Sequence, residues 1–113
     1  MNTIKYFLAI IAIAVASFGY SQSTTKTIKF KVDGNCDMCK KRIENALDVK
    51  GIKYANWDVK TKQIEITYKT DKISEDQIHQ LIANVGHDTE KVKATKENYN
   101  KLHGCCKYRE NPE

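Results

Sequence analysis

Residues 28–47, IKFKVDGNCDMCKKRIENAL, carry the clearest structural pattern in this 113-residue chain. The first five residues alternate between apolar and basic side chains, which predicts a half-buried β-strand. Aspartate, glycine and asparagine follow at 33–35, and these residue types favour a turn. From 37 to 49 the apolar residues recur at helical spacing. The stretch therefore predicts a strand and a helix joined by a short loop.

Two further alternating runs follow, at 55–59 and 64–68. The polar segment Lys60-Thr61-Lys62 separates them, so together they predict a β-hairpin. Ser74 and Gln77 then have the spacing of a capping box, in which two side chains satisfy the first free backbone N–H groups of a helix. A second helix is therefore predicted to begin at this point.

The last part of the chain is less regular. Thr89–Ala94 is a heavily charged run that suits an exposed edge strand, and Thr95 is expected to cap a short helix that reaches Leu102. The resulting order, β-α-β-β-α-β, is the ferredoxin-like arrangement. We expect an α+β fold in which two helices cover one face of a four-stranded antiparallel sheet, followed by a short helical tail.

The amino terminus has the pattern of a secretory signal peptide. Lys5 supplies a positive charge, residues 7–18 are apolar, and small residues place a cleavage point after Ser21. A retained membrane anchor is the alternative, but the apolar run is shorter than the roughly 20 residues that a spanning helix needs. We expect a signal peptide at 1–21, a flexible leader at 22–25, and an exported protein that is periplasmic in a bacterium and not inserted in the membrane after cleavage.

The rest of the chain is interpreted as one domain at 26–94 and a tail at 95–113. The formal net charge of the whole chain is +5, and the basic residues are spread along it. This mild excess favours solubility and partner steering, and we expect no nucleic-acid partner. No Ser/His/Asp arrangement, paired carboxylates or glycine-rich phosphate loop is evident, so we expect no enzyme activity.

Four cysteines, Cys36, Cys39, Cys105 and Cys106, are the strongest chemical signal. An even number of cysteines in an exported chain ordinarily suggests disulfides. Here one pair has the spacing C-x-x-C and the other pair is adjacent, and adjacent cysteines seldom bridge each other without strain. Paired soft metal ligands fit this pattern better than disulfides do.

Cys36 and Cys39 are placed where the loop meets the first helix. A separation of three residues lets both sulfurs point at one ion, and two thiolates in line across it would lie roughly 4.6 Å apart. The helix amino terminus also favours the thiolate form. Lys40, Lys41 and Arg42 follow at once, either as a solvated helix face or as a docking surface for an acidic partner.

The chain resembles the heavy-metal-associated domain over about residues 26–94. The resemblance depends on the motif at 34–39, the Lys-Arg-Ile-Glu-x-Ala-Leu helix at 41–47, Gly51-Ile52 and Gly86-His87-Asp88. This family includes copper chaperones, mercury-binding periplasmic proteins and modules of metal-pumping ATPases.

The resemblance implies a cargo of Cu(I), with Hg(II), Zn(II) and Cd(II) as alternatives, bound by Cys36 and Cys39. It also implies transfer by ligand exchange to a metal-transporting membrane protein or another metal-binding domain, and the basic residues after Cys39 favour an acidic docking face on that partner. The protein itself would be a monomer or a weak metal-bridged dimer.

Two positions depart from the family pattern. Gly34 stands where the family usually has a methionine beneath the loop, and Met38 lies inside the motif instead. His87 stands where the family tends to have an aromatic residue or a lysine. We interpret His87 as a capping or hydrogen-bonding residue, with metal ligation as the alternative.

The tail adds Cys105 and Cys106 beyond the family domain. After the predicted edge strand, a return helix could bring them to the end of the domain that carries Cys36 and Cys39. They would then complete a site of three or four thiolates, which would favour Zn(II) or Cd(II). A separate weak site and an intermolecular disulfide are the alternatives. We interpret His103 as a surface residue, and Tyr99 and Tyr108 as side chains that pin the tail.

Two other functions use the same cysteines. A thiol–disulfide protein also places C-x-x-C at a helix start. However, the thioredoxin fold needs a cis-proline near its cysteines, and Pro112 is the only proline here. A structural zinc site in an interaction module is the other alternative.

Overall fold

The computed structural model describes residues 24–110. The predicted signal peptide at 1–21, and the first two residues of the predicted leader, lie outside this range. The described elements are strands β1 (Thr25–Lys31), β2 (Ile52–Trp57) and β3 (Gln63–Lys69), helices α1 (Asp37–Ala46), α2 (Glu75–Asn84) and α3 (Lys96–Asn100), and a 3₁₀ helix (Gly104–Cys106). No helix within 24–110 has the length and apolar character that crossing a membrane requires.

The sheet has three antiparallel strands in the order β1-β3-β2. In register, Ile64 of β3 pairs with Phe30 on one side and with Trp57 on the other. The predicted hairpin is confirmed as β2 and β3, and its turn is closed by Asp58, whose Oδ1 accepts hydrogen bonds from the backbone N–H groups of Lys60 and Thr61. The sheet's inner face is therefore built from side chains two residues apart on each strand.

The predicted fourth strand at Thr89–Ala94 was wrong. Thr89 forms a single antiparallel bridge with Val32, and no ladder follows it. The hydroxyl of Thr89 accepts hydrogen bonds from the N–H groups of Lys91 and Val92, and the Thr89 N–H donates to the Val92 carbonyl. These bonds turn the segment back on itself, because a threonine side chain competes with a neighbouring strand for backbone partners.

The edge of β1 that this strand was expected to cover has a different partner. The Lys31 N–H donates to the Glu90 carboxylate at 3.0 Å, so a side chain takes the place of a strand carbonyl. The Asp33 N–H donates to the Asp88 carbonyl at 2.9 Å. The chain therefore stays near the loop that follows β1 and does not run to the far end of the sheet.

Helices α1 and α2 share one core with the sheet. The capping box is confirmed, since Gln77 N–H donates to the Ser74 hydroxyl and the Gln77 amide oxygen accepts from Ser74 N–H. The first helix ends at Ala46, earlier than the predicted 49, because its last carbonyls accept i→i−3 bonds that tighten the end of the helix. The fully buried side chains shared by sheet and helices are Ile43, Trp57, Ile64, Ile66, Ile78 and Ile82.

The carboxyl-terminal segment packs against the end of α2. Thr95 caps α3 by accepting a hydrogen bond from the Asn98 N–H. Gly86 follows α2 with φ of +102°, and a Cβ built there would lie 2.9 Å from the Asn98 carbonyl oxygen and 3.0 Å from Leu102. Glycine is therefore required at 86 both by the backbone conformation and by the closeness of α3.

We expect Gly86→Ala to lower the free energy of unfolding by about 2–3 kcal/mol, because positive φ and the close approach of the Asn98 carbonyl both oppose a side chain. Urea denaturation followed by circular dichroism measures the change. Gly104→Ala is the matched control, since a Cβ there meets nothing within 4 Å. It should change stability by less than about 0.5 kcal/mol. Equal losses in the two variants would contradict this account of the packing.

Candidate metal centre

The end of β1 and the start of α1 bring the first two cysteines together. Cys36 is the N-cap of α1, with extended backbone (φ −144°, ψ 178°), and Cys39 lies in the first turn. Their sulfurs are 3.6 Å apart. Cys39 is fully buried and its Sγ accepts a hydrogen bond from the Asn35 N–H at 3.4 Å, whereas Cys36 is half-buried. Cys36 is therefore the more accessible member of the pair.

The tail brings both remaining cysteines to the same place. The Cys106 sulfur is 3.6 Å from that of Cys36, and Cys106 is fully buried. The sulfurs of Cys36, Cys39 and Cys106 all lie within 4.8 Å of one another. Cys105 is exposed and 3.4 Å from Cys36, but it lies outside this group of three. We call the group of Cys36, Cys39 and Cys106 the three-thiol cluster.

The cluster favours one thiolate, at Cys36. Burial alone would raise the pKa of Cys36, but the nearby Cys39 N–H and the thiols of Cys105, Cys106 and Cys39 outweigh it and lower that pKa to about 7. The pKa of Cys106 is raised, first by burial and then by its bonds to Cys39 and Cys36. Cys36 is therefore the cysteine of the cluster that most readily becomes a thiolate, and a cation that binds the thiols displaces their protons.

The loop before Cys36 is supported by a tryptophan. Trp57 is fully buried, and its indole Nε1 donates to the carbonyl oxygens of Val32 and Lys62. A Cβ at Gly34 would lie 3.1 Å from the Trp57 ring and 3.2 Å from the Cys39 Cβ. The Trp57 ring therefore fills the space beneath the loop, and glycine at 34 leaves room for it.

Met38 does not occupy that space. Its side chain is 46% exposed, and its Sδ accepts a hydrogen bond from the Cys105 thiol at 3.5 Å. Since the spacing of Met38 and Cys105 in the sequence gives no sign of this contact, sequence reasoning missed it. The thioether adds a fifth sulfur atom beside the four cysteines.

His87 is buried next to the site but is not part of the three-thiol cluster. Its Nδ1 lies 2.7 Å from the Asp33 carbonyl oxygen, so this nitrogen carries the proton and donates it. The ring stacks on Tyr108, with centroids 5.6 Å apart. This placement agrees with the hydrogen-bonding role predicted for His87. Burial is the largest cause that lowers its pKa, to about 4.

The tail is held by a set of polar contacts that we call the latch, formed by Gly86, Asp88, Tyr108 and Arg109. The Tyr108 hydroxyl donates to the Gly86 carbonyl at 2.7 Å and accepts from the Asp88 N–H at 2.9 Å. The Arg109 guanidinium donates to both Asp88 carboxylate oxygens, at 2.7 and 3.3 Å, and to the Ala94 carbonyl.

The latch combines an ion pair with two buried tyrosines. Burial alone would raise the pKa of Asp88, but Arg109 and the Ala94 N–H hold it below its usual value. Tyr99 and Tyr108 are buried, which confirms the predicted pinning of the tail. The pair of Asp88 and Arg109 was not predicted, because nothing in the sequence links residues 21 positions apart across this turn.

The three basic residues after Cys39 have separate roles. Lys40 Nζ donates to the Glu44 carboxylate at 2.6 Å, to Asn56, and to the Trp57 carbonyl at 2.9 Å. These contacts of Lys40 join α1 to β2. Lys41 is exposed and Arg42 is half-buried, so these two remain as the candidate docking charges.

Comparison with known proteins places this arrangement in context. The family model for the heavy-metal-associated domain matches residues 29–88, which is 60 of the 113 residues. A solved structure described as the CopZ metallochaperone is 26% identical with a TM-score of 0.55, and the match covers 57% of this chain and 98% of that one. A solution structure described as the ZiaAN sub mutant is 34% identical with a TM-score of 0.51, covering 57% and 94%.

A third similar structure is oxidized MerP from Ralstonia metallidurans CH34. It is 24% identical with a TM-score of 0.55, covers 58% of this chain and 94% of that one, and shows a likeness of fold. No curated protein sequence matches the chain.

Acid should destabilise the protein through His87. An unfolded histidine has a pKa near 6.5 and the folded one about 4, so the folded state binds this proton more weakly. Stability that is complete above about pH 6.5 should therefore fall by up to about 3 kcal/mol as the pH drops to 4. Urea denaturation across that range, on wild type and on His87→Gln, measures the difference. The same slope in both proteins would contradict the assignment.

Loosening the latch should expose the buried thiol. In Arg109→Gln, we expect alkylation of Cys106 by iodoacetamide to become roughly tenfold faster, since about 1.4 kcal/mol less holds the tail closed. Anaerobic labelling with mass-spectrometric mapping of each cysteine gives the rate. Lys101→Gln, which removes an exposed cation of the same segment, should leave the rate unchanged. An unchanged rate in Arg109→Gln would show that the latch does not control the tail.

Proposed function

We propose, because this chain belongs to the heavy-metal-associated domain family, that it carries a soft metal ion on cysteine thiolates and passes it on by ligand exchange. The observation that carries the proposal is the three-thiol cluster, in which Cys36, Cys39 and Cys106 have sulfurs within 4.8 Å of one another. The likeness to a structure named as a metallochaperone supports it. The ion is the cargo, and no chemical reaction on it is required.

The distances favour more than two ligands. With metal–sulfur bonds of about 2.3 Å, the sulfurs of two thiolates in line lie about 4.6 Å apart. In a trigonal or tetrahedral site, the distance between two sulfurs is about 3.8–4.0 Å. In the structure, the Cys36 sulfur lies 3.6 Å from the sulfurs of both Cys39 and Cys106. They are closer to the edge of a three- or four-ligand site than to a linear pair.

Cu(I) is the proposed cargo. The cluster contains cysteine sulfur and no carboxylate or imidazole ligand within the described residues, and thiolates select Cu(I) and other soft ions. Zn(II), Cd(II) and Hg(II) also bind thiolates, and a fourth ligand would favour Zn(II) or Cd(II). Competition between these ions therefore decides the assignment.

Transfer begins at Cys36. It is the half-buried member of the cluster, while Cys39 and Cys106 are fully buried. A thiolate from a partner can therefore replace Cys36 first and the two buried sulfurs afterwards. The oxidation state of the ion does not change, and each thiol that releases the ion recovers a proton.

The proposed partner is a metal-transporting membrane protein or a second metal-binding domain with an acidic face. Lys41 and the exposed part of Arg42 lie two and three residues after Cys39, and they offer positive charge to such a face. We place this exchange outside the inner membrane, in the periplasm of a bacterium, because of the predicted signal peptide at 1–21. Nucleic acid is not a proposed partner.

The tightest Cu(I) equivalent should depend on the three-thiol cluster. Loss of an outer-shell group alone weakens metal sites by about 10–100-fold, so Cys106→Ser should weaken this equivalent by at least about 100-fold. Cys36→Ser/Cys39→Ser should abolish it. Anaerobic titration below one equivalent, in competition with a Cu(I) chelator, measures both changes, and parallel titrations with Zn(II) and Hg(II) rank the ions.

Cys105→Ser is the matched control, because it removes the adjacent cysteine that lies outside the cluster. It should leave the affinity for the first equivalent nearly unchanged. Undiminished affinity in Cys106→Ser would reduce the site to Cys36 and Cys39. Absence of tight binding by wild type, together with a readily reducible Cys36–Cys39 disulfide, would favour the thiol–disulfide function instead.

A further inference from the structure

We propose that the protein has a second site for Cu(I), formed by the sulfurs of Cys36, Cys105 and Met38, which shares the Cys36 thiolate with the three-thiol cluster. The inference rests on the proposed function, since it adds a second ion beside the three-thiol cluster. It assigns a binding role to Cys105 and to the exposed methionine, neither of which belongs to the first site.

The geometry places Cys105 between two other sulfurs. Its Sγ is 3.4 Å from the Cys36 sulfur and 3.5 Å from the Met38 thioether sulfur. With bonds of about 2.3 Å, sulfurs that bind one ion lie no more than about 4.6 Å apart, and both distances satisfy this limit. The Cys105 thiol therefore has one potential co-ligand on either side.

One ion does not account for all these sulfurs. The group whose members all lie within 4.8 Å of one another includes Cys39 but excludes Cys105. Cys105 nevertheless contacts Cys36, and also Cys106 at 3.9 Å. Cys39 is thus the cysteine that lies too far from Cys105 to share an ion with it, so an ion bound by Cys39 leaves the exposed Cys105 free to bind a second one.

Cys36 is the sulfur that can bridge the two ions. It contacts Cys39 and Cys106 at 3.6 Å and Cys105 at 3.4 Å, so it is the sulfur at the centre of all three contacts. A thiolate has several lone pairs and can bind two soft cations at once. Its half-buried position leaves one side open to Cys105 and Met38.

The ligand set identifies the ion as Cu(I). A thioether is neutral and soft, and the combination of cysteine and methionine sulfur selects Cu(I) over Zn(II). Charge is also balanced, because one Cu(I) replaces the single proton of the Cys105 thiol. The second ion therefore adds no net charge to the site, whereas Zn(II) at the same place would add one positive charge.

The surface position of Met38 agrees with this role. A single exposed apolar side chain is common and needs no explanation by itself. Here, however, the 46% exposed Met38 is already in contact with Cys105 through its sulfur. The second site thus lies at the surface, and Met38 lines the same cleft as Lys41 and Arg42, the residues proposed to attract a partner.

The test is the number of Cu(I) ions bound. The reduced protein is titrated anaerobically with Cu(I) and examined by native mass spectrometry at matched chelator concentrations. Wild type should bind two ions, while Met38→Leu and Cys105→Ser should each bind one with unchanged affinity for the first. Val49→Leu is the control, since Val49 is an exposed apolar residue beyond the opposite end of α1 and should leave two ions bound.

Both substituted side chains are exposed, and circular dichroism checks that the variants remain folded. One ion in wild type and in every variant would overturn the second site and leave the proposed function standing. Two ions retained in Met38→Leu would overturn the role of the thioether. No Cu(I) bound by wild type would overturn the second site together with the assignment of Cu(I) as the cargo.

Discussion

The backbone hydrogen bond between Asp33 and Asp88 joins the loop before Cys36 to the segment that follows α2, and the three-thiol cluster lies beside this contact. Asp33 also accepts a bond from His87, and Asp88 supports the tail through Arg109 and Tyr108. These contacts join two loops that are far apart in sequence. Together with the tail side chains buried in the core, they bring the amino-terminal and carboxyl-terminal cysteines to one place.

The tail cysteines can reach Cys36 because the residues after Thr89 do not form a fourth strand. A strand of six residues at about 3.3 Å each would carry the chain some 20 Å away from the three-thiol cluster, and α3 would then have to return the same distance. Instead, the Thr89 hydroxyl turns the chain within four residues, and the Glu90 carboxylate accepts one backbone N–H of β1, that of Lys31. The tail therefore reaches Cys36 directly.

Sequence reasoning succeeded where local chemistry determines structure. The capping box at Ser74, the hairpin around Lys60-Thr61-Lys62 and the strand before Cys36 all depend on neighbours in the chain. It failed at Thr89, because charge and alternation there are compatible with both an edge strand and a turn. The tail cysteines were candidates from their residue type, but their distance to Cys36 depends on contacts such as the pair of Asp88 and Arg109, which no sequence pattern signals.

The tail combines two roles that oppose each other in a metal carrier. As a source of ligands it would raise the coordination number of the ion and so slow release, while as a segment outside the sheet it is held by its own buried side chains and by the latch. The latch determines the balance, because Arg109 is one-third exposed while the Asp88 carboxylate that it pairs with is only 12% exposed. A partner that competes for Arg109 at the surface would weaken the hold on Cys106 before any sulfur is exchanged. Under the proposed function, docking and release would then be coupled through this ion pair, because the contact that holds the tail is also within reach of a partner at the surface.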